Sequence, residues 1–159
     1  MKTTITFCFC IITLFAFGFA NAAIFKCVAP SGQVIYSNVM GEGCVKLELE
    51  WEKIGESATA IEYFDPDTIR RNGDKVKFWS LSDYKTVQRA LGVAPFLSSK
   101  AQDEFDCKEE QVRTLAYVLY FGNMGGGEAV NSNFDPQKWR AVPPKTLAKG
   151  KWDIACGIK

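Results

Sequence analysis

Four cysteines and not one histidine lie beyond residue 22 of this chain, and that pairing of facts narrows its chemistry most. Cys27, Cys44, Cys107 and Cys156 are widely spaced, so none forms the close C-x-x-C pair that a zinc site or a redox dithiol needs. With histidine absent throughout, a usual zinc ligand and the commonest general base are missing together. An even number of distant cysteines reads as two structural disulfides. Three pairings satisfy the count. The simplest joins neighbours, Cys27 to Cys44 and Cys107 to Cys156.

Disulfides need an oxidising compartment, and the N-terminus supplies the address. "MKTTITFCFCIITLFAFGFANAA" carries one cation, Lys2, then an apolar run and the small residues Ala20 and Ala22. This is the pattern of a cleaved secretory signal over residues 1–22. Cys8 and Cys10 lie inside the apolar run, too early for lipidation at the cut. The reading predicts a protein of the periplasm, or secreted to the cell surface, with no membrane span after cleavage. Residues 23–159 are about one domain in length. Setting Lys2 aside from the 19 basic residues balances them against the 18 acidic ones, which argues against a nucleic-acid partner.

The charge is unevenly placed. Glu48, Glu50 and Glu52 lie in an acidic segment, while Lys138, Arg140, Lys145, Lys149, Lys151 and Lys159 crowd the last 22 residues. The paired glutamates are read as the wet face of a strand and not as glycosidase carboxylates. "AIFKCVAPSGQVIYSNVMGEGC" reads as a β-hairpin around Pro30, Ser31 and Gly32, a small module over residues 23–45. In "VKLELEWEKIG", strict alternation of Val45, Leu47, Leu49 and Trp51 with charged residues predicts one strand with a wet and a buried face. "AIEYF" and "KVKFWSLSDY" read as strands flanking an Asp65-Pro66 turn and an Asn72-Gly73 turn. Residues 84–102, interrupted by Gly92 and Pro95, read as a strand tail or short helix and then a loop.

From Asp103, "FDCKEEQVRTLAYVLYF" reads as one long strand. Val112, Thr114, Ala116, Val118 and Tyr120 fit one face, and Leu115, Tyr117, Leu119 and Phe121 the other. Apolar residues on both faces predict cover by a helix on one side and, on the other, by a partner subunit, a homodimer, or by the front hairpin in its place. "GNMGGGE" lacks the Gly-Lys-Ser/Thr ending of a phosphate loop and reads as a hairpin turn. After Pro143-Pro144, Thr146 caps a predicted C-terminal helix that buries Leu147, Trp152, Ala155 and Cys156 and points Lys145, Lys149 and Lys151 elsewhere.

The front segment, with Phe25, Cys27, Gly32, Tyr36 and Ser37, resembles a short module found at the start of many proteobacterial exported proteins. Its usual aspartate before the turn is absent from "VAPSG". The remainder, read as a domain over residues 46–159, resembles the surface-adhesin protein E family of Gram-negative bacteria. The match is carried by Tyr63, Asp65, Thr68, Ile69, Trp79, Ser98, Asp106, Cys107, Tyr120, Gly125, Gly127, Trp139, Pro143 and Cys156, in order across about 100 residues. The resemblance implies an α+β fold, an antiparallel β-sheet with a C-terminal helix tethered by a disulfide. It makes Cys107, on a strand, the partner of Cys156.

The resemblance also implies a binding or adhesion-like envelope protein without enzymatic activity or cofactor. Adhesins of this type are lipid-anchored, and here the lipidation cysteine is missing and a hairpin module is added. The alternative is a structural or accessory periplasmic protein with a groove for a partner protein or a small ligand. Lys145, Lys149 and Lys151 are the candidate binding surface, for an acidic polysaccharide or an acidic protein loop.

Overall fold

The computed structural model describes residues 23–157. The expected signal segment, residues 1–22, lies outside the described residues. Most of the chain is antiparallel sheet. Strand β1 (Phe25–Val28), β2 (Val34–Ser37) and β3 (Cys44–Lys46) form a three-stranded sheet in the order β2-β1-β3. The Pro30-Ser31-Gly32 turn closes the first hairpin, with Gly32 at φ 80°. The Cys27–Cys44 disulfide joins β1 to β3 across a registered pair.

The large sheet follows. Its strands are β4 (Glu52–Glu56), β5 (Ala60–Phe64), β6 (Arg70–Asn72), β7 (Lys75–Ala90), β8 (Val93–Asp106), β9 (Gln111–Tyr120), β10 (Ala129–Asn133) and β11 (Arg140–Ala141). The path runs β10-β9-β8-β7-β5-β4, with β6 on β7 and β11 on β9. A single ten-residue helix, α1 (Leu147–Cys156), ends the described chain, tied by Cys107–Cys156. The α+β expectation is therefore met by the sheet and the tethered helix, but the helical share is one short element.

Both faces of the middle strands are buried, because β7 carries large apolar residues at consecutive positions. Val76 and Phe78 face α1 and form one core with Phe105, Val112, Trp152 and Ala155. Phe78 and Phe105 stack with centroids 5.1 Å apart. Trp79 faces the other way, into a second core with Ile24, Ala116, Val118 and Tyr120, closed over by Tyr36, Leu47, Leu49 and Trp51. Each fully buried side chain of this size contributes about 1.5–3 kcal/mol by transfer from water.

Four expectations are corrected. First, residues 45–52 are not one strand: β3 ends at Lys46 and β4 begins at Glu52. Leu47, Leu49 and Trp51 keep their alternation because they pack on the sheet from an extended connector. Val45 is 64% exposed. Second, residues 84–102 hold no helix; they are the ends of two long strands joined at Leu91-Gly92, where Gly92 has φ 73°. Pro95 is tolerated because β7 and β8 are out of regular register there.

Third, the stretch from Asp103 is broken by a turn over residues 107–110, so Cys107 lies on that turn and not on a strand. A register shift between Gln102 and Asp103 also skips Leu115. Such a bulge exchanges the faces of everything beyond it. Val112 therefore packs under α1, whereas Ala116, Val118 and Tyr120 belong to the opposite core. Fourth, the Ala116, Val118 and Tyr120 face is covered by the chain's own N-terminal module and the connector after it, whereas on the opposite face Tyr117 and Leu119 are half-buried and Phe121 is 61% exposed.

Candidate functional site

The helix side is built tightly. Thr146 has the extended backbone of an N-cap, and its hydroxyl accepts from the Lys149 N–H at 3.2 Å. Gly157, at φ 75°, ends the helix in the left-handed conformation. Gly150 weakens a helix intrinsically, but a Cβ there would meet Ile54 at 3.4 Å, so the small residue lets α1 lie against β4. The Trp152 indole donates to the Asp106 carbonyl, and the Arg71 guanidinium donates to the Ala155 carbonyl at 2.9 Å.

The three candidate lysines are separated by this packing. Lys145 is exposed, at φ 58°. Lys149 pairs with Asp153 at 2.6 Å and lies 4.0 Å from the Trp152 ring centroid. Lys151 turns inward, contrary to the expectation that it points away from the buried face. Its Nζ lies 2.9 Å from Glu62 and 3.6 Å from Asp103, and donates to Ser80 Oγ. Thr114 and Ser80 also donate to Asp103, and Ser82 donates to Glu62. Burial alone would lower the Lys151 pKa, but the charges of Asp103 and Glu62 outweigh it and raise the value.

Ser80 and Lys151 superficially resemble a serine–lysine nucleophile pair. The chemistry fails on protonation: a lysine held as a cation by two carboxylates cannot take a proton from serine. Ser80 is itself 1% exposed and spends its proton on Asp103. The cluster is structural. Among the described residues no group of acids and cysteines is arranged to hold a metal ion.

The glycine-rich segment after β9 is a braced turn. Ser98 Oγ donates to the Gly122 carbonyl at 2.6 Å and accepts from the Gly125 N–H at 2.9 Å. Asp83 accepts from the Met124 N–H and the Asn123 amide. Gly125 is required twice over: its φ is 72°, and a Cβ would meet Lys100 Cε at 2.1 Å. Lys100 lies over the Tyr120 ring, and burial lowers its pKa. The Glu48–Glu50–Glu52 face stays solvated, with Glu48 paired to Lys46 at 2.9 Å.

Where the small module rests on the large sheet, a groove opens that the sequence reading did not single out. One part, about 230 Å³, is lined by Lys26, Tyr36, Arg70, Lys77, Trp79 and Gln102 among others. A second part, about 350 Å³, shares Val34, Tyr36, Lys77 and Gln102 with it and continues over Leu115, Phe134 and Pro136. Tyr36 meets Trp79 edge-on at 5.3 Å, and the Gln102 amide donates to Tyr36 Oη at 3.3 Å. The Trp79 indole N–H is buried without a hydrogen-bond partner among the described residues. A partial signal was present in the sequence: Lys26 follows Phe25 and Lys77 precedes Phe78 in strand segments, whereas Arg70 has no aromatic neighbour.

A family model described as surface-adhesin protein E matches residues 51–157, from the connector through the helix. A second, described as a domain of unknown function (DUF4124), matches residues 11–60. Among solved structures, crystal form II of Haemophilus influenzae protein E is similar at 14% identity, with a TM-score of 0.48, covering 71% of this chain and 96% of that one. The selenomethionine form of the same protein matches at 15% identity with a TM-score of 0.46, covering 70% and 96%. Protein E from non-typeable Haemophilus influenzae matches at 13% with a TM-score of 0.43, covering 69% and 86%. No curated protein matches the sequence.

Proposed function

Because the chain belongs to the surface-adhesin protein E family, we propose that it is an exported, non-enzymatic, adhesin-like envelope protein that acts by binding a protein or matrix partner. The observation that carries the reading is the extent of the family match, which takes in the large sheet, the helix and the Cys107–Cys156 tether together. The division into a signal over residues 1–22, a module over 23–45 and a family domain over 46–159 belongs to the same reading. So does export to the periplasm or the cell surface, where both disulfides are stable. No helix of the described residues is long and apolar enough to cross a membrane.

Our reading moves the binding surface away from the three lysines. Lys151 is consumed by Glu62 and Asp103, so the lysine set expected from sequence cannot act as one patch. The cation-lined groove beneath the module is the better candidate. The test is adherence of cells producing the protein, against cells lacking it, to surfaces coated with extracellular-matrix protein. Greater adherence by producing cells supports the reading. Equal adherence, with the protein verified on the cell surface, overturns it.

A further inference from the structure

We propose that the groove between the N-terminal module and the large sheet receives an extended, acidic–apolar peptide segment of a partner protein, which pairs with the open edge of β2. The inference rests on the binding reading above and names the class of partner.

Three independent features converge. The first is an unpaired strand edge. β2 is hydrogen-bonded on one side, by β1, and stands at the end of the sheet order β2-β1-β3. Its outer N–H and C=O groups are a template for another strand, which natural proteins usually blunt. Val34 and Ile35 on it are 45% and 48% exposed. Only a peptide offers the matching row of backbone donors and acceptors, which separates this occupant from a polysaccharide.

The second feature is charge. Among the described residues Lys26, Arg70 and Lys77 make no ion pair with any acid, although all three line the same end of the groove. The nearest acid in register with Lys77 is Glu104, and Arg113 already holds it at 2.5 Å. Arg70 donates through Nη1 to the Asp67 and Ile69 carbonyls and keeps its other donors free. Three such cations complement carboxylates. The third feature is an aromatic floor: Trp79 lines the groove, and Tyr36 of β2 meets it edge-on at 5.3 Å. At its other end the groove is apolar, over Leu115, Phe134 and Pro136. The matching peptide is acidic along the half that lies over the cations and apolar along the half that lies over Leu115, Phe134 and Pro136.

The experiment uses the full disulfide-bonded protein, nitrogen-labelled, titrated with a blocked octapeptide acidic in one half (aspartate) and apolar in the other (valine). A lysine–valine peptide and oligogalacturonate are the controls. The expected result is movement of the Trp79 indole N–H and the Val34–Ser37 amide signals with the acidic peptide alone, weakened about tenfold or more in Arg70→Glu/Lys77→Glu. Lys26→Glu, on the module, gives a second variant with the same expected direction. Silence toward millimolar acidic peptide, equal response to the lysine peptide, or response to oligogalacturonate without β2 movement would each overturn the proposal. So would concentration-dependent shifts without peptide, which mark a second copy on the edge. Cells producing the double variant that adhere as well as the parent would sink the groove and leave the binding reading standing.

Discussion

The two faces of the large sheet are finished differently. Under α1, Lys151 meets two carboxylates, Lys149 meets Asp153, Arg71 meets a helix carbonyl, and the Trp152 indole meets the Asp106 carbonyl. Under the N-terminal module, Lys26, Arg70 and Lys77 meet no acid among the described residues, and the Trp79 indole and Tyr120 hydroxyl are buried without partners. A face whose polar groups are satisfied from within contributes stability. A face with unpaired cations and a free strand edge has capacity left for a ligand. On the reading proposed above, the helix side is the fastening and the module side the working surface.

The largest effect expected is on the fastening. Lys151→Met leaves Glu62 and Asp103 buried without their cation and costs about 3–5 kcal/mol in urea unfolding. Neutralising both acids as well, with Glu62→Gln and Asp103→Asn, should restore much of it. The raised Lys151 pKa gives a sign in pH: its contribution is complete below the unfolded value of about 10.4 and is lost as pH rises through the higher folded value. A parent whose alkaline unfolding limb matches that of the triple variant would break the assignment.

Next come the staples. Replacing Cys107 and Cys156 by serine opens a loop of 49 residues' separation, worth about 4 kcal/mol on the chain-entropy model. The same change at Cys27 and Cys44, separated by 17, costs about 3 kcal/mol. The two differ more in function than in stability. Losing the first loosens the helix and spares the groove, whereas losing the second disorders the groove. Binding that survives loss of Cys27–Cys44 but not of Cys107–Cys156 would reverse the comparison.

Smaller still is a matched pair of tryptophans. Trp152→Phe removes a satisfied hydrogen bond and costs about 1 kcal/mol beyond the packing change. Trp79→Phe removes a buried donor that has no partner, so its polar contribution is favourable, by about 1–3 kcal/mol set against the packing change. Denaturation of the two variants side by side checks the ordering. The smallest effect concerns acid. Asp106 accepts from the Glu109 and Lys108 N–H groups and from Lys75, which together hold its carboxyl below the usual value. Its stabilising contribution is present above the unfolded value of about 3.9 and disappears as pH falls through the lower folded value. Asp106→Asn should flatten that acid limb.

Much of the frame was legible in the residues. Pro30-Ser31-Gly32 marked the first hairpin, Thr146 marked the helix start, and cysteine spacing marked the staples. What escaped depended on contacts between distant segments. Gly92 and Pro95 read as breakers, yet one serves a turn and the other sits in irregular register. The bulge at Leu115 is set by pairing with β8, so no local pattern announces that the faces exchange there. Lys151 carried a readable signal: it lies four residues after Leu147 and four before Ala155, in one row of the helix that includes a buried residue. Its carboxylate partners on β5 and β8 are what make a lysine acceptable in that row. The groove escaped because its lining comes from the module and from strands far along the chain.

The most direct test sets the two faces against each other in one adherence assay on matrix-coated surfaces. One strain carries Lys26→Glu, Arg70→Glu and Lys77→Glu; the other carries Lys145→Glu and Lys149→Glu, with surface display of both proteins verified. Loss of adherence in the first strain and retention in the second is the predicted result. Retention in the first with loss in the second would contradict it and return the binding surface to the C-terminal helix.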